Sequence, residues 1–347
     1  MTKQLNVWFL NRRGEISQEP VIVEDYDINR DYITQEKSEF TLPQTVAFEK
    51  GDFLFAKFSG GSRNVFFGII DSYEGDKVVA VDIYNLVNFD FPATRISGSS
   101  FESHFYNLIN RYLVQDATKQ LSILDVEVRT NTSHIYQPSE PPTATNLVKY
   151  AINAFKKYNV IWEFDRFENG RIKTYLERVT DAIQLKNNIY DFVNWEVSTT
   201  EVGKNTENML LIVNKNTNNS EGPNILATWY LTTNNEVTQN ANDVSIFKPT
   251  KTKVYIYDTT ATDAPSYSDV ANSELKGNYY SHEISFDIKD NSEIISFENL
   301  RIGTLANIYY NEKLFQSVLT GYQITSNSEF VGLKFGHIRS RLSEVLE

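Results

Sequence analysis

Gly51-Asp-Phe-Leu-Phe-Ala-Lys-Phe58, Asn64-Val-Phe-Phe-Gly-Ile-Ile-Asp-Ser-Tyr73 and Lys77-Val-Val-Ala-Val-Asp-Ile-Tyr84 read as three short strands separated by polar turns. The layout returns near the other end of the chain as Gly303-Thr-Leu-Ala-Asn-Ile-Tyr-Tyr310, Lys313-Leu-Phe-Gln-Ser-Val-Leu-Thr-Gly-Tyr322 and Glu329-Phe-Val-Gly-Leu-Lys-Phe335. Each copy starts on a glycine (Gly51, Gly303), and each second strand carries one glycine (Gly68, Gly321). An internal repeat constrains architecture more than any single motif does. The glycines inside the second strands are read as bends that curve small barrels, not as ligand contacts.

Around the repeats the chain reads as mainly β. Val21–Val23, Glu36–Leu42, Leu121–Val128, Val160–Phe164, Arg171–Leu176, Asn208–Val213, Asn224–Leu231, Lys253–Tyr257 and His282–Ile288 are short and rich in β-branched or aromatic residues. Asn169-Gly170 marks a hairpin turn, and Asn214–Pro223 reads as a long exposed loop. Helices are expected from Ser99-Ser100 to about Gln115, from Thr143 or Thr145 through Phe155, over Ser266–Lys276 with Gly277 as the stop, and at the C-terminus with Ile338, Leu342 and Val345. The expected fold is mainly β with α+β insertions: two related small β-barrel domains, one mixed α/β domain and one smaller inserted domain. The boundaries are 1–95 for the first barrel, 96–195 for the α/β domain, 196–225 with 278–347 for the second barrel, and 226–277 for the insert.

Bulk properties fit several domains in a folded chain of 347 residues, with 41% hydrophobic and 22% charged residues. No run reaches the ~20 apolar residues of a membrane-spanning helix. The N-terminal apolar patch is short and followed by Arg12-Arg13, so it reads as a first strand rather than a secretory signal. Cysteine is absent, which removes disulfides, thiolate metal sites and cysteine nucleophiles. The formal charge of −12 disfavours a general DNA-binding face but suits a wall that nucleic acid passes without sticking.

No catalytic, cofactor-binding or metal residues are legible in the sequence. The phosphate-cradle, dinucleotide, zinc-protease and serine-elbow motifs are all missing. Gly60-Gly61-Ser62-Arg63 reads as a hairpin turn, because no helix follows it. Glu163 with Asp165, and Glu283 with Asp287, share strand faces and are the nearest approach to a carboxylate pair, although such alternation is ordinarily solvated. His104, His134, His282 and His337 are scattered, and His104 sits at the edge of a helical apolar stripe. The 20 Tyr and 22 Phe are read as core and cross-strand pairs.

The runs Arg301-Ile-Gly-Thr-Leu-Ala-Asn-Ile-Tyr-Tyr, Phe315-Gln-Ser-Val-Leu-Thr-Gly-Tyr and Val331-Gly-Leu-Lys-Phe-Gly-His-Ile-Arg-Ser-Arg-Leu resemble the end of phage tail hub proteins, and Val65-Phe-Phe-Gly-Ile-Ile-Asp resembles the hairpin of their first tube-like domain. That family comprises tail-associated proteins of siphophages and the central baseplate hub of contractile tails. The resemblance implies a non-enzymatic structural protein of the virion tail tip, phage or prophage encoded, assembled in the host cytoplasm. It implies a homotrimer whose two tube-like domains per chain adapt a sixfold tail tube to a threefold tip and form or close the DNA exit channel. The implied partners are further copies of the chain, the distal tail ring or tail tube protein, the tape-measure protein and tail-fibre or receptor-binding proteins, with DNA only in transit and no cofactor. Because the sequence stops soon after the hub signature, a peptidoglycan-cleaving module is not expected within it. The alternative is a cell-wall-directed hydrolase or glycan-binding module, suggested by the aromatic and acidic content.

Overall fold

The computed structural model describes residues 4–32, 36–43, 46–61, 63–92, 100–119, 121–132, 144–187, 191–199, 207–219, 222–234, 236–246, 248–260, 264–276, 282–295 and 300–336. The expected C-terminal helix, Gly277, His134 and His337 lie outside these residues.

The chain begins with β1 (Leu5–Leu10), β2 (Val21–Val23), β3 (Asp25–Asp31), β4 (Lys37–Thr41), β5 (Phe53–Phe58), β6 (Phe66–Glu74) and β7 (Lys77–Asp82). A mixed stretch follows: β8 (Asp90–Pro92), α1 (Phe101–Ile109) continued by a π turn over Asn110–Val114, β9 (Leu124–Val128), β10 (Ala144–Asn146), α2 (Leu147–Tyr158), β11 (Val160–Glu168) and β12 (Arg171–Arg178). Then come β13 (Ala182–Lys186), β14 (Phe192–Thr199), β15 (Met209–Asn219), β16 (Gly222–Leu231), β17 (Val237–Thr238), β18 (Thr252–Tyr257) and α3 (Tyr267–Leu275). The last strands are β19 (His282–Lys289), β20 (Leu305–Tyr310), β21 (Lys313–Thr325) and β22 (Phe330–Gly336). The protein is mainly β, as its sequence reads.

Thirteen strands form one sheet, and the repeat is visible in its pairing order. The strands β3-β4-β7-β6-β5-β1 neighbour one another in that sequence, and so do β14-β19-β22-β21-β20-β13. Chain order matches as well: β1, β3, β4, β5, β6, β7 against β13, β14, β19, β20, β21, β22. The modules differ at their last strand, because β1 runs antiparallel to β5 whereas β13 runs parallel to β20. Within the described residues no sheet closes into a barrel. The expected barrels are replaced by one open sheet, because the two modules join edge to edge instead of each closing on itself.

Gly51 and Gly303 hold the same place in the two modules. Each has a left-handed backbone, with φ of 90° and 88°. Each donates its N–H across the sheet at 2.8 Å, Gly51 to the Ile70 carbonyl and Gly303 to the Leu319 carbonyl. A bulge follows at once in both second strands, between Ile70 and Ser72 and between Leu319 and Gly321. The bulges align Ser72, not Gly68, with Gly321. The two in-strand glycines therefore occupy different positions.

Between β14 and β19 the chain inserts a separate four-stranded sheet, β17-β16-β15-β18, covered on one face by α3. Leu210, Ile212, Ala227, Leu231, Tyr257, Val270, Ala271 and Leu275 form its own core. The sheet pairing groups Met209–Asn219 and most of 222–225 with this insert, not with the second module as the expected 225/226 boundary has it. The loop read over Asn214–Pro223 is mostly strand, since β15 runs to Asn219 and pairs with β16 again at Asn218↔Pro223 past an irregular stretch. Polar side chains mislead there because they have partners within the insert: Asn214 Oδ1 accepts from the Asn216 backbone N–H at 2.9 Å, and Asn216 Nδ2 donates to Asp258 at 3.0 Å.

The mixed stretch packs against the large sheet and shares its core. Ser100 caps α1, accepting from the Ser103 N–H at 3.1 Å. The second helix begins after Asn146, whose Oδ1 accepts from the Val148 N–H at 2.9 Å, one to two residues past the expected start at Thr145, which lies in β10; Thr143 lies outside the described residues. Asn169-Gly170 forms the tight turn between β11 and β12, both residues having positive φ.

Gly303→Ala is expected to destabilise by about 2–3 kcal/mol, since the added Cβ combines positive φ with a contact 2.7 Å from Ile161 Cγ2. Gly60→Ala, with φ of 81° and open space around it, is expected to cost only about 1 kcal/mol. Urea unfolding of the two variants measures the difference.

Candidate functional site: the seam between the modules

The modules meet where β3 lies antiparallel to the second half of β21, pairing Asp31 with Gly321, Arg30 with Tyr322, Asn29 with Gln323, Ile28 with Ile324 and Asp27 with Thr325. The first half of β21, Lys313–Val318, pairs with β20 along the same edge. One long strand thus serves its own module and then its neighbour. Gly321 sits at the crossover, where a Cβ would strike the Asp31 carboxylate and lie 2.7 Å from the Arg30 carbonyl. Glycine here serves a close backbone approach, and its φ is ordinary.

Alternation along β3 sends Asp27, Asn29 and Asp31 to one face and Tyr26, Ile28 and Arg30 to the other, which is buried. On the first face the seam is tied by side chains: Gln323 Nε2 to Asp27 at 3.1 Å and Lys334 Nζ to Asp31 at 3.1 Å. On the second face Arg30, only 9% exposed, enters the core. Its Nη1 donates to Glu163 Oε1 at 3.1 Å and its Nε lies 3.4 Å from Asp82 Oδ2. Nη1 also reaches the Tyr322 hydroxyl at 3.4 Å, and that hydroxyl donates to the Val65 carbonyl at 3.0 Å. Asp82 closes the first module and caps the following 3₁₀ turn through the Tyr84 N–H, Glu163 comes from β11, and Tyr322 from β21. One guanidinium therefore joins both modules to the mixed stretch.

Aromatic rings insulate this cluster. Tyr84 meets Trp162 and Phe164 edge-on at 5.9 and 5.3 Å, and Tyr32 lies 4.6 Å from Phe155. Burial would lower the Arg30 pKa, but Glu163, Tyr322 and Asp82 outweigh it and hold the guanidinium charged. Burial pushes the Asp82 carboxyl up against the opposing pull of Arg30. In the second module, His282 accepts from or donates to Ser317 Oγ at 2.9 Å, and burial lowers its pKa to about 4.

The carboxylate pairs singled out in the sequence are not brought together as a catalytic site. Glu163 is buried on Arg30, while Asp165 occupies a β-bulge and lies 4.0 Å from Arg63. Asp287 accepts from Asn194 Nδ2 at 2.7 Å. His104 is buried, its ring 5.8 Å from Tyr150. Arg63 of the glycine-rich loop donates to the Tyr175 hydroxyl at 3.1 Å. A crevice of about 20 Å³ beside the seam, lined by Phe58, Arg63, Leu300 and Tyr322 among others, has room for little more than a water. Among the described residues no group of acids and histidines has metal-site geometry, and no helix is long and apolar enough to cross a membrane. Arg30 escaped the sequence reading, although its signal is present: it replaces an apolar residue in the alternation Tyr26, Ile28, Arg30, Tyr32.

The fold built from these parts has counterparts among solved structures of tail proteins. The chain is similar in fold to a prophage tail protein from Listeria monocytogenes EGD-e (10% identity, 98% of this chain and 97% of that one, TM-score 0.53). It is likewise similar to the 43 kDa tail protein of prophage MuSo2 from Shewanella oneidensis (9%, 96% and 98%, TM-score 0.53). The tail protein of Neisseria meningitidis MC58 aligns at 10% identity over 96% of both chains, with a TM-score of 0.50. No family model and no curated protein sequence matches the chain.

Arg30→Met strands two buried carboxylates and is expected to lower unfolding free energy by about 3–5 kcal/mol. Asp82→Asn keeps the Arg30–Glu163 pair and removes the carboxylate that burial penalises, so a cost of at most about 1 kcal/mol is expected in urea titrations at pH 7. His282 gives a pH dependence of known sign. Its folded pKa is depressed, so its contribution is complete above pH 6.5 and is lost as pH falls towards 4, amounting to about 3 kcal/mol at most. The wild-type stability should fall more steeply than that of His282→Gln across this window.

Proposed function

We propose that the protein is a structural component of a phage tail tip, the hub of a baseplate, and acts without catalysis. The observation that carries this reading is the repeated strand order fused into one sheet, found in a chain whose fold is that of prophage tail proteins over nearly its whole length. A chain with two equivalent modules offers twice its copy number of similar surfaces. Three copies then present six, which reconciles a sixfold tail tube with a threefold tip. In this reading the homotrimer docks the distal tail ring or tube protein and the tape-measure protein on one side, and fibre or receptor-binding proteins on the other. Its lumen forms or closes the DNA exit. The net charge of −12 supports that role, since acidic walls repel phosphate in transit. Residues 1–95 and the strands around 182–199 and 282–336 make up the two tube-like domains, with the mixed stretch and the insert as peripheral parts. The virion tail tip is the proposed location, reached by assembly in the host cytoplasm.

The test is deletion of the gene from its phage or prophage, followed by electron microscopy and ejection assays of the induced particles. Tails lacking a complete tip and failing to eject DNA are the expected result. Complete, ejecting tails would overturn the reading.

A further inference from the structure

Asn64 lies in the connection between β5 and β6, and the backbone around it is pinned from both directions. The Gly61 N–H donates to the Phe58 carbonyl and the Val65 N–H to the Ala56 carbonyl, each at 2.9 Å. The Val65 carbonyl in turn accepts from the Tyr322 hydroxyl of β21 at 3.0 Å. Asn64 is thereby held against the seam, with its side-chain Nδ2 buried and without a hydrogen-bond partner among the described protein groups. Arg63 beside it is equally committed, donating to the Tyr175 hydroxyl at 3.1 Å with its Nε 4.0 Å from Asp165. Arg63, Asn64 and Tyr322 line the crevice of about 20 Å³ next to the seam, together with apolar Phe58, Leu300 and Ile324. A buried donor that meets no acceptor carries the whole cost of its lost hydration, and such groups are few in folded proteins. The crevice exceeds the roughly 10–15 Å³ that a single water-sized occupant requires.

We infer that this crevice is a binding site for one small hydrogen-bond acceptor, a water molecule or a halide ion, with Asn64 Nδ2 as its donor. The chemistry of the wall selects that class of ligand. Arg63 offers donors only, and the free group of Asn64 is a donor as well. No carboxylate lines the crevice, so a cation is disfavoured, and the volume excludes anything much larger than a water. Both occupants satisfy the Asn64 amide. A halide gains further from the Arg63 guanidinium. A water gains instead from the Tyr322 oxygen, whose own proton is given to Val65 and whose contact with Arg30 Nη1 is long at 3.4 Å. In either case the bound group adds a tie across the seam that the side chains do not make by themselves, joining the β5–β6 connection to the part of the wall supplied by β21. The inference stands on the geometry of the seam and is independent of the tail-tip reading.

Crystals of the full-length protein, grown without halide and then soaked in sodium bromide, test the site and separate the two occupants. An electron-density peak within hydrogen-bond reach of Asn64 Nδ2 is expected in the wild-type crystals. A peak present before the soak and silent in the bromine anomalous map afterwards identifies water, whereas an anomalous peak at that place identifies a halide. In Asn64→Leu, which removes the donor while keeping similar bulk, the peak should be lost with the rest of the seam unchanged. Urea titrations in chloride and in gluconate give the matching solution readout. With a halide occupant the wild-type midpoint rises in chloride and that of Asn64→Leu does not, and with water neither midpoint depends on the anion. An empty crevice in both wild-type maps overturns the site, as does an Asn64 amide turned over onto a protein acceptor. A peak that persists in Asn64→Leu overturns the assignment of Asn64 as its donor. The wild-type maps decide occupancy by themselves, so the outcome does not depend on the variant folding.

Discussion

A charged guanidinium held in a protein core is costly unless every direction around it is answered, and the organisation of this chain follows from how Arg30 meets that condition. Its partners come from three places far apart in sequence: Asp82 at the end of the first module, Glu163 in the mixed stretch, and Tyr322 in the second module. None of these segments can shift without uncovering a buried charge. The net gain from such a cluster is small, because desolvation offsets most of the attraction. Its consequence is geometric. Apolar residues alone would let β3 slide along β21 by two positions with their faces preserved. The Arg30–Tyr322 pairing in the core and Gly321 at the crossover admit one register.

The repeat explains both the continuity of the sheet and its tolerance of insertion. Each module is a run of antiparallel neighbours whose end strand, β3 or β14, is available for pairing with the next module. Within the chain that offer is taken up once, by β3 on β21. The insert lies between β14 and β19, at a connection on the rim, where an extra folded unit with its own core disturbs no ladder bond. The parallel strand β13 shows that the repeat is one of core pairing rather than of every connection.

Much of this was legible in the sequence, and the failures share a cause. The two modules, their glycine starts, the Asn169-Gly170 turn and the α1 cap are local signals, and local signals survive folding. The hub-like resemblance, read from four short runs, agrees with the fold similarity found over nearly the whole chain. What misled were places where a polar side chain has a partner distant in sequence or an unusual position in the ladder. Arg30 hid in a segment, Asp25–Asp31, whose charged and polar residues mask the strand alternation and whose buried partner Glu163 lies far away in sequence. Gly68 and Gly321 looked equivalent because both interrupt a second strand, yet the bulge register separates them. Asn214–Pro223 looked like a loop because asparagines bonding backbone and neighbouring side chains within the insert resemble asparagines bonding water. Barrel closure was expected from a single module, and the joining of two modules removed the need for it.

The two modules are alike where they pair and unlike at their outer strands, and that asymmetry bears on what a duplicated chain can do. The first module ends in β1, antiparallel to β5 and extended by β2. The second ends in β13, parallel to β20, with an insert of 207–276 hanging from its rim. A ring of identical modules presents the same surface at every step and can bind only partners of its own symmetry. Alternating two modules of common core and different edges keeps a uniform path along the inside, set by the shared pairing order. The outside then differs at every second step. In the proposed hub, a tube protein of sixfold symmetry would read the shared core, and threefold tip proteins would read the insert and the β1–β2 edge. In that proposal the shared pairing order and the differing outer strands of one chain serve the two symmetries.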